Sequence, residues 1–195
     1  MDIDSFWDLI EQCRQQALGR DDRLAWLREE LTRRGPGEAV QFQLHLDRVI
    51  EEAFTWDLWA AAERIFEGWC SDDGFCYFRL WLVGLGREAF EEAMSGPDSL
   101  ARVTEVRRLA GRPLRSWGDE WPEWESLDYV AMEAYAALTG VKDDGEAFYD
   151  AFDARQNGGP VRPAPAGQRW DVRQEDEVVR RLPQLSAMFP LPVRE

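Results

Sequence analysis

Between Phe75 and Val83, every residue except Arg79 is apolar or aromatic. A helix with such a run is hydrophobic on all sides, and it is stable in water only when other structure covers it. The run is bounded as a helix would be. Ser71 or Asp72 stands as N-cap, and Asp73 in the first turn suits the positive end of the helix dipole. Gly84 and Gly86 remove side chains where the helix must bend or approach a neighbour closely. The fold is therefore expected to be built around a buried central helix, residues 73–85.

The shell around it also reads as helical. The chain has 195 residues, 45% of them hydrophobic, with 10 Trp and 10 Phe, which is enough for one domain with a substantial core. "DIDSFWDLIEQCRQQAL" puts Phe6, Leu9, Ile10 and Cys13 on one face, with Asp4 or Ser5 as its cap. "RDDRLAWLREELTRRG" repeats Leu24, Leu27 and Leu31, with acids early and arginines late. "PGEAVQFQLHLDRVIEEAF" groups Phe42, Leu46, Val49 and Ile50, and "TWDLWAAAERIF" follows with Thr55 as cap. "PDSLARVTEVRRL" reads as one helix, and so does Pro122–Leu138, with Pro122 near its first turn and Gly140 after its last. Strand-like alternation and internal repeats do not appear. The expectation is an all-α, single multi-helix globular domain of about eight to ten helices. Residues 1–156 form its body, the Pro/Gly-rich 157–167 a linker, and 168–195 a C-terminal helical segment packed back on it.

Charge and composition exclude several functions. With 23 cationic and 38 acidic side chains the formal net charge is −15, which repels nucleic acid and anionic membranes. The longest apolar run, Phe75 to Leu85, is too short to span a bilayer and contains Arg79. Met1 is followed by Asp2 and Asp4 rather than by the basic start of a secretory leader, so a cytoplasmic protein is expected. Cys13, Cys70 and Cys76 are an odd set with no disulfide framework, and a single His45 makes a Cys/His metal site improbable. No metal or cofactor is expected. His45 sits on the Phe42–Leu46 side of its helix, as a hydrogen-bonding residue at the rim of a core would.

Two places carry functional potential. In the first, Asp72, Asp73, Arg79 and Arg87 line a polar cleft with Trp56, Asp57, Trp59 and Trp81, which suits a zwitterionic or planar ligand. Arg79 needs a carboxylate there, and Asp57 is the first candidate, with Asp72 or Asp73 next. Adjacent aspartates diverge on a helix, so they make a poor general acid/base pair. "DDG" lacks the later ligands of a calcium loop. "GLG" falls inside a helical pattern and not after a strand, so it is no dinucleotide loop, and no serine sits in a nucleophile elbow. The purely structural account of this stretch is a tightly packed helix whose polar residues cap and pair.

"TWDLWAAAERIFEGWCSDDGFCYFRLWLVGLGREAF", the nearby "PDSL" and the opening "FWDLI" resemble a bacterial family of uncharacterised proteins, domain of unknown function 4240. The resemblance covers residues 1–138 and is strongest over 56–100, where Trp56, Asp57, Trp59, Ser71, Asp72, Asp73, Gly74, Phe75, Phe78, Arg79, Trp81, Gly86, Arg87, Pro97, Asp98 and Leu100 fit the pattern. The chain departs from it at Cys76–Tyr77, where the family has an acid followed by Tyr, and by its longer "RSWGDEWPEW" stretch. The resemblance supports the fold and brings no activity with it.

The second place is a charge boundary. Residues 101–118 hold five arginines (Arg102, Arg107, Arg108, Arg112 and Arg115) against one acid, while 119–154 hold 11 acids against one cation. The arginines read as a solvated face neutralised by neighbouring acids. Trp117, Trp121, Glu123, Trp124, Glu125 and Asp128 form an aromatic, acidic stretch: either a recognition surface or rings tucked onto the core. The favoured function is a non-enzymatic acidic interaction protein of regulatory, accessory or immunity type, binding a basic protein partner. The alternative is a small-molecule binder or enzyme using the Asp/Arg/Trp cleft. The global charge also yields an expected outcome. Near physiological salt the protein shows no saturable binding to a random DNA duplex by fluorescence anisotropy, and a submicromolar, salt-sensitive complex would overturn this.

Overall fold

The computed structural model describes residues 1–16, 19–140, 145–156 and 164–191. Most of the stretch expected to be a linker, 157–163, lies outside them, as do the last residues of the expected C-terminal segment, 192–195. The fold is all-α. The α-helices are α1 (Ile3–Arg14), α2 (Arg20–Arg34), α3 (Pro36–Glu52), α4 (Trp56–Ile65), α5 (Asp72–Gly84), α6 (Arg87–Ser95), α7 (Thr104–Leu109), α8 (Val130–Thr139), α9 (Glu146–Asp153), α10 (Glu175–Arg181) and α11 (Pro183–Met188), with short 3-10 turns between several of them. Among the described residues there is no strand, only an isolated bridge between Thr55 and Ala166. No helix among them is long and apolar enough to cross a membrane.

The helix starts follow local chemistry. Asp2 caps α1 by accepting from Ser5 N at 2.8 Å, so the helix begins two or three residues before the expected Asp4 or Ser5. Thr55 caps α4 through Leu58 N at 3.2 Å, and the Ser71 hydroxyl accepts from Gly74 N at 3.0 Å at the start of α5. In α5, Phe75, Phe78, Leu80, Trp81, Leu82 and Val83 are buried, while Cys76, Tyr77 and Arg79 are half-buried.

The chain gathers into two compact units. The first takes Met1–Glu52, Val83–Arg87 and Trp124–Arg162; the second takes Ala53–Leu82, Glu88–Glu123 and Pro163–Glu195. In the first unit α2, α3 and α8 pack on one another, and α1 and α9 complete the layer. Phe6 and Phe42 meet with ring centroids 5.1 Å apart, and Leu9, Leu27, Leu31 and Leu46 are fully covered around them. His45 Nε2 lies 3.1 Å from the Met1 carbonyl oxygen at the edge of this core.

The expected helix from Pro122 to Leu138 does not run its full length. Residues Glu125–Tyr129 are a 3-10 turn, and the α-helix begins only at Val130. The cause is Trp124. Its indole is buried against Gly84, where a Cβ would fall 2.4 Å from the ring, so the chain is drawn inward before the helix can start. "PDSLARVTEVRRL" is also divided, into a 3-10 turn at Pro97–Arg102 and α7. The break falls at Val103, whose backbone is extended with ψ 127°; within the 3-10 turn the Asp98 carboxylate accepts from the backbone N–H groups of Gln184 and Leu185 at 3.0 and 2.9 Å, capping α11.

That contact belongs to the second unit, where the C-terminal segment is tied down at several points. The strongest tie is Arg64 on α4, whose side chain is 1% exposed. Its Nη1 donates to Glu175 Oε1 at 2.9 Å and to the Val172 carbonyl at 3.3 Å; its Nη2 donates to Glu175 Oε2 at 3.4 Å and to the Ser186 carbonyl at 3.3 Å. A buried guanidinium is tolerated only when most of its protons are satisfied; the partners of Nη1 and Nη2 come from the end of the chain, while the buried Nε has none among the described residues. Asp57 adds a second tie, accepting from Trp170 Nε1 at 2.8 Å and from Arg181 at 3.1 Å.

The first unit hides a different polar group. Gln43 Nε2 donates to Asp47 at 2.7 Å and to Asp128 at 3.1 Å. Burial pushes the Asp47 carboxyl up to about 6, with the nearby Asp128 charge adding to the rise and the Gln43 hydrogen bond opposing it. Asp128 is raised too, again by burial.

Two outcomes follow. Arg64→Ala leaves two carbonyls bare and should cost about 3–5 kcal/mol in urea unfolding, whereas Glu175→Ala, at a half-solvated carboxylate, should cost about 1–2 kcal/mol. Arg48→Ala, at an exposed pair with Glu52, should leave the midpoint in place. The second outcome concerns pH. The folded Asp47 holds its proton up to about pH 6, above the ordinary unfolded value, so this group lowers stability as pH rises through that window. Asp47→Asn should therefore stabilise the protein on the order of 2 kcal/mol at pH 7.5, with the gain vanishing near pH 4, as read by denaturation at the two pH values.

Candidate functional site

The second unit contains a cleft of about 520 Å³, a volume typical of a ligand site. Three consecutive pieces of chain build it. The first turn of α4 supplies Trp56 and Trp59, and Glu63 stands further along the same helix. The loop into α5 supplies Trp69, Cys70 and Ser71, and the first turn of α5 supplies Asp72 and Asp73. Arg169 comes from the C-terminal segment.

The aromatic wall is rigid. Trp56 and Trp59 stack with centroids 5.4 Å apart, and Trp59 stacks on the buried Phe75 at 4.7 Å. Trp59 Nε1 donates to the Cys70 carbonyl at 3.2 Å, fixing the indole between core and cleft. Trp69 stands at the rim, 70% exposed. Asp72 and Asp73 are exposed, and Glu63 is half-buried. Burial raises the Glu63 carboxyl above its ordinary range; Arg169 and Arg173 oppose the rise and Asp171 adds to it. Burial, with Glu63 and Asp72 beside it, pushes the Cys70 thiol up to about 12, so it stays protonated at neutral pH.

Of the cleft residues expected from sequence, Trp56, Trp59, Asp72 and Asp73 come together. Four others do not line the cleft. Asp57 is turned to Trp170 and Arg181. Arg87 pairs with Asp4 at 2.7 Å in the first unit. Trp81 is buried within α5, its ring 5.3 Å from that of Phe78. Arg79 is half-buried, with its guanidinium over the Phe54 and Phe75 rings at 4.8 and 5.2 Å. Asp57, the first partner expected for it, accepts from Trp170 and Arg181. Sequence reasoning missed Glu63, Trp69 and Arg169. The signal for Glu63 and Trp69 was their proximity to Trp59 and Asp72 along the chain; Arg169 had none, because it is brought in from more than a hundred residues away.

The aromatic, acidic stretch after it is more interior than its composition suggests. Trp117 and Trp124 are buried, and Trp121 stacks on Phe66 at 5.4 Å with an interplanar angle of 11°. Asp128 faces Gln43. Glu125 is exposed and Glu123 half-buried. The rings are thus tucked onto the core. In the basic stretch, Arg102 pairs with Glu92 at 2.9 Å and Arg112 with Glu120 at 2.6 Å, so acids neutralise part of it. Among the described residues no group of three or more His, Cys, Asp or Glu side chains is placed to hold a metal ion.

A family model described as "Protein of unknown function (DUF4240)" matches residues 1–137. No curated protein and no solved structure matches the chain. The family match takes in every cleft residue except Arg169.

Proposed function

We propose that this chain, which belongs to the family Protein of unknown function (DUF4240), is a non-enzymatic acidic interaction protein of the cytoplasm that binds a basic protein partner and receives one of its cationic side chains in the Trp56/Trp59/Trp69 cleft. The observation that carries this is the meeting of three indoles with three carboxylates, Glu63, Asp72 and Asp73, around one opening. Indole faces attract cations through their quadrupole, and nearby carboxylates add long-range steering. The overall charge of −15 extends the same preference beyond the cleft.

The chemistry of the lining supports binding over reaction. The Cys70 thiol is held protonated. The Ser71 hydroxyl is engaged in capping α5 by accepting from Gly74 N. Asp72 and Asp73 are adjacent on a helix and exposed, so they do not converge on one reacting atom. The aromatic, acidic stretch from Trp117 to Asp128 is the weaker docking surface, because Trp117 and Trp124 are buried.

Calorimetric titration with a short peptide alternating glycine with lysine and arginine tests this. The double variant Asp72→Asn/Asp73→Asn should weaken binding about tenfold, while Glu123→Gln/Glu125→Gln should leave it nearly unchanged. Undiminished binding by the first variant, or no binding by the parent protein, would overturn the assignment to the cleft.

A further inference from the structure

Among the described residues Arg169 is the one cationic side chain that lines the cleft. Its guanidinium carbon lies 4.9 Å from the centroid of the Trp56 ring. Among the described residues it makes no hydrogen bond or ion pair, and the residue is exposed. Its backbone, by contrast, is pinned on both sides. Ala166 N donates to the Phe54 carbonyl at 2.8 Å, and Trp56 N donates to the Ala166 carbonyl at 2.9 Å. One residue beyond Arg169, Trp170 Nε1 donates to Asp57 at 2.8 Å. The segment therefore delivers a guanidinium to the aromatic wall, where the Trp56 ring and the nearby charge of Glu63 attract it.

We infer that the cleft is a receptor for the guanidinium group of arginine and that Arg169 is its built-in occupant, displaced when an arginine of the partner enters. This rests on the function proposed above and specifies both its ligand and its regulation. A guanidinium is flat and weakly hydrated, so it stacks on an indole with less desolvation than an ammonium. The second unit uses this contact repeatedly: Arg79 lies over Phe54 and Phe75, and Arg181 lies 5.2 Å from the Trp170 centroid. Among the described residues only Arg169 makes it at an open cleft rimmed by Glu63, Asp72 and Asp73. Among the described residues no cation is hydrogen-bonded to those carboxylates, and an incoming arginine would supply one. An exposed, tethered occupant held by one cation–π contact and the attraction of Glu63, with no hydrogen bond among the described residues, competes weakly, so binding is attenuated and not abolished.

The full chain and two single variants would be titrated calorimetrically with a glycine–arginine peptide and with its glycine–lysine counterpart. Arg169→Gln should bind the arginine peptide about three- to sixfold more tightly than the parent, the gain expected from removing a competitor of that strength. Arg180→Gln takes the same charge from the same segment, at an exposed pair with Glu177 away from the cleft, and should leave affinity unchanged. The arginine peptide should bind more tightly than the lysine peptide. Equal tightening by the two variants would mean that only net charge matters, and no tightening by Arg169→Gln would mean that Arg169 occupies nothing; either overturns self-occupancy while the proposed function stands. Equal affinity for both peptides would overturn the guanidinium preference. Absence of binding to all three proteins would overturn this inference and the proposed function together.

Discussion

The second unit depends on keeping one buried positive charge satisfied. Arg64 lies deep among Ala61, Ala62 and Ile65 and is 1% exposed, yet its hydrogen-bond partners Glu175, Val172 and Ser186 all come from the end of the chain. An uncompensated guanidinium there would be among the most costly features the fold holds. The C-terminal segment is thus required by the core and is not an appendage to it. Once it is held, Asp57 and Trp170 fix its course past α4, and the cleft acquires its last wall. The residues matched by the family end at position 137, so the partners that neutralise Arg64 lie outside the matched part of the chain.

What could be read from sequence was what local chemistry decides. The all-round apolar run from Phe75 announced α5, and Thr55 and Ser71 cap their helices as their positions suggest. Trp56, Trp59, Asp72 and Asp73 come together because they lie within a turn of two consecutive helix starts. What could not be read depends on contacts between residues far apart in sequence. Arg64, in "AAAERIF", looks like an ordinary helical arginine, and nothing local says that its partner is Glu175. Arg79 drew attention because its neighbours are apolar, but it rests on the faces of Phe54 and Phe75 at half burial. The helix expected from Pro122 was shortened by a packing event, the seating of Trp124 on Gly84, that no periodicity records.

The two polar clusters differ in kind. Gln43 is buried and Asp47 and Asp128 are half-buried beside it, where desolvation pushes both carboxyls toward the neutral form. Asp72 and Asp73 sit in solvent at the start of a helix, where the dipole favours their charge. A carboxyl that stands in solvent can meet a cation without disturbing the core, whereas one packed beside a second acid cannot. This separates acids that shape the interior from acids available to a partner, although composition counts them alike.

The exposure of Trp69 has an optical consequence. Of the ten tryptophans in the chain it alone is exposed, at 70%, while the others are buried or half-buried. Collisional quenchers would reach its emission first. Because Asp72 and Asp73 stand beside it, caesium ions would be drawn toward this indole and iodide repelled. The rim of the cleft thus carries its own fluorophore, whose response to the sign of the quencher's charge reports the local field without any added label.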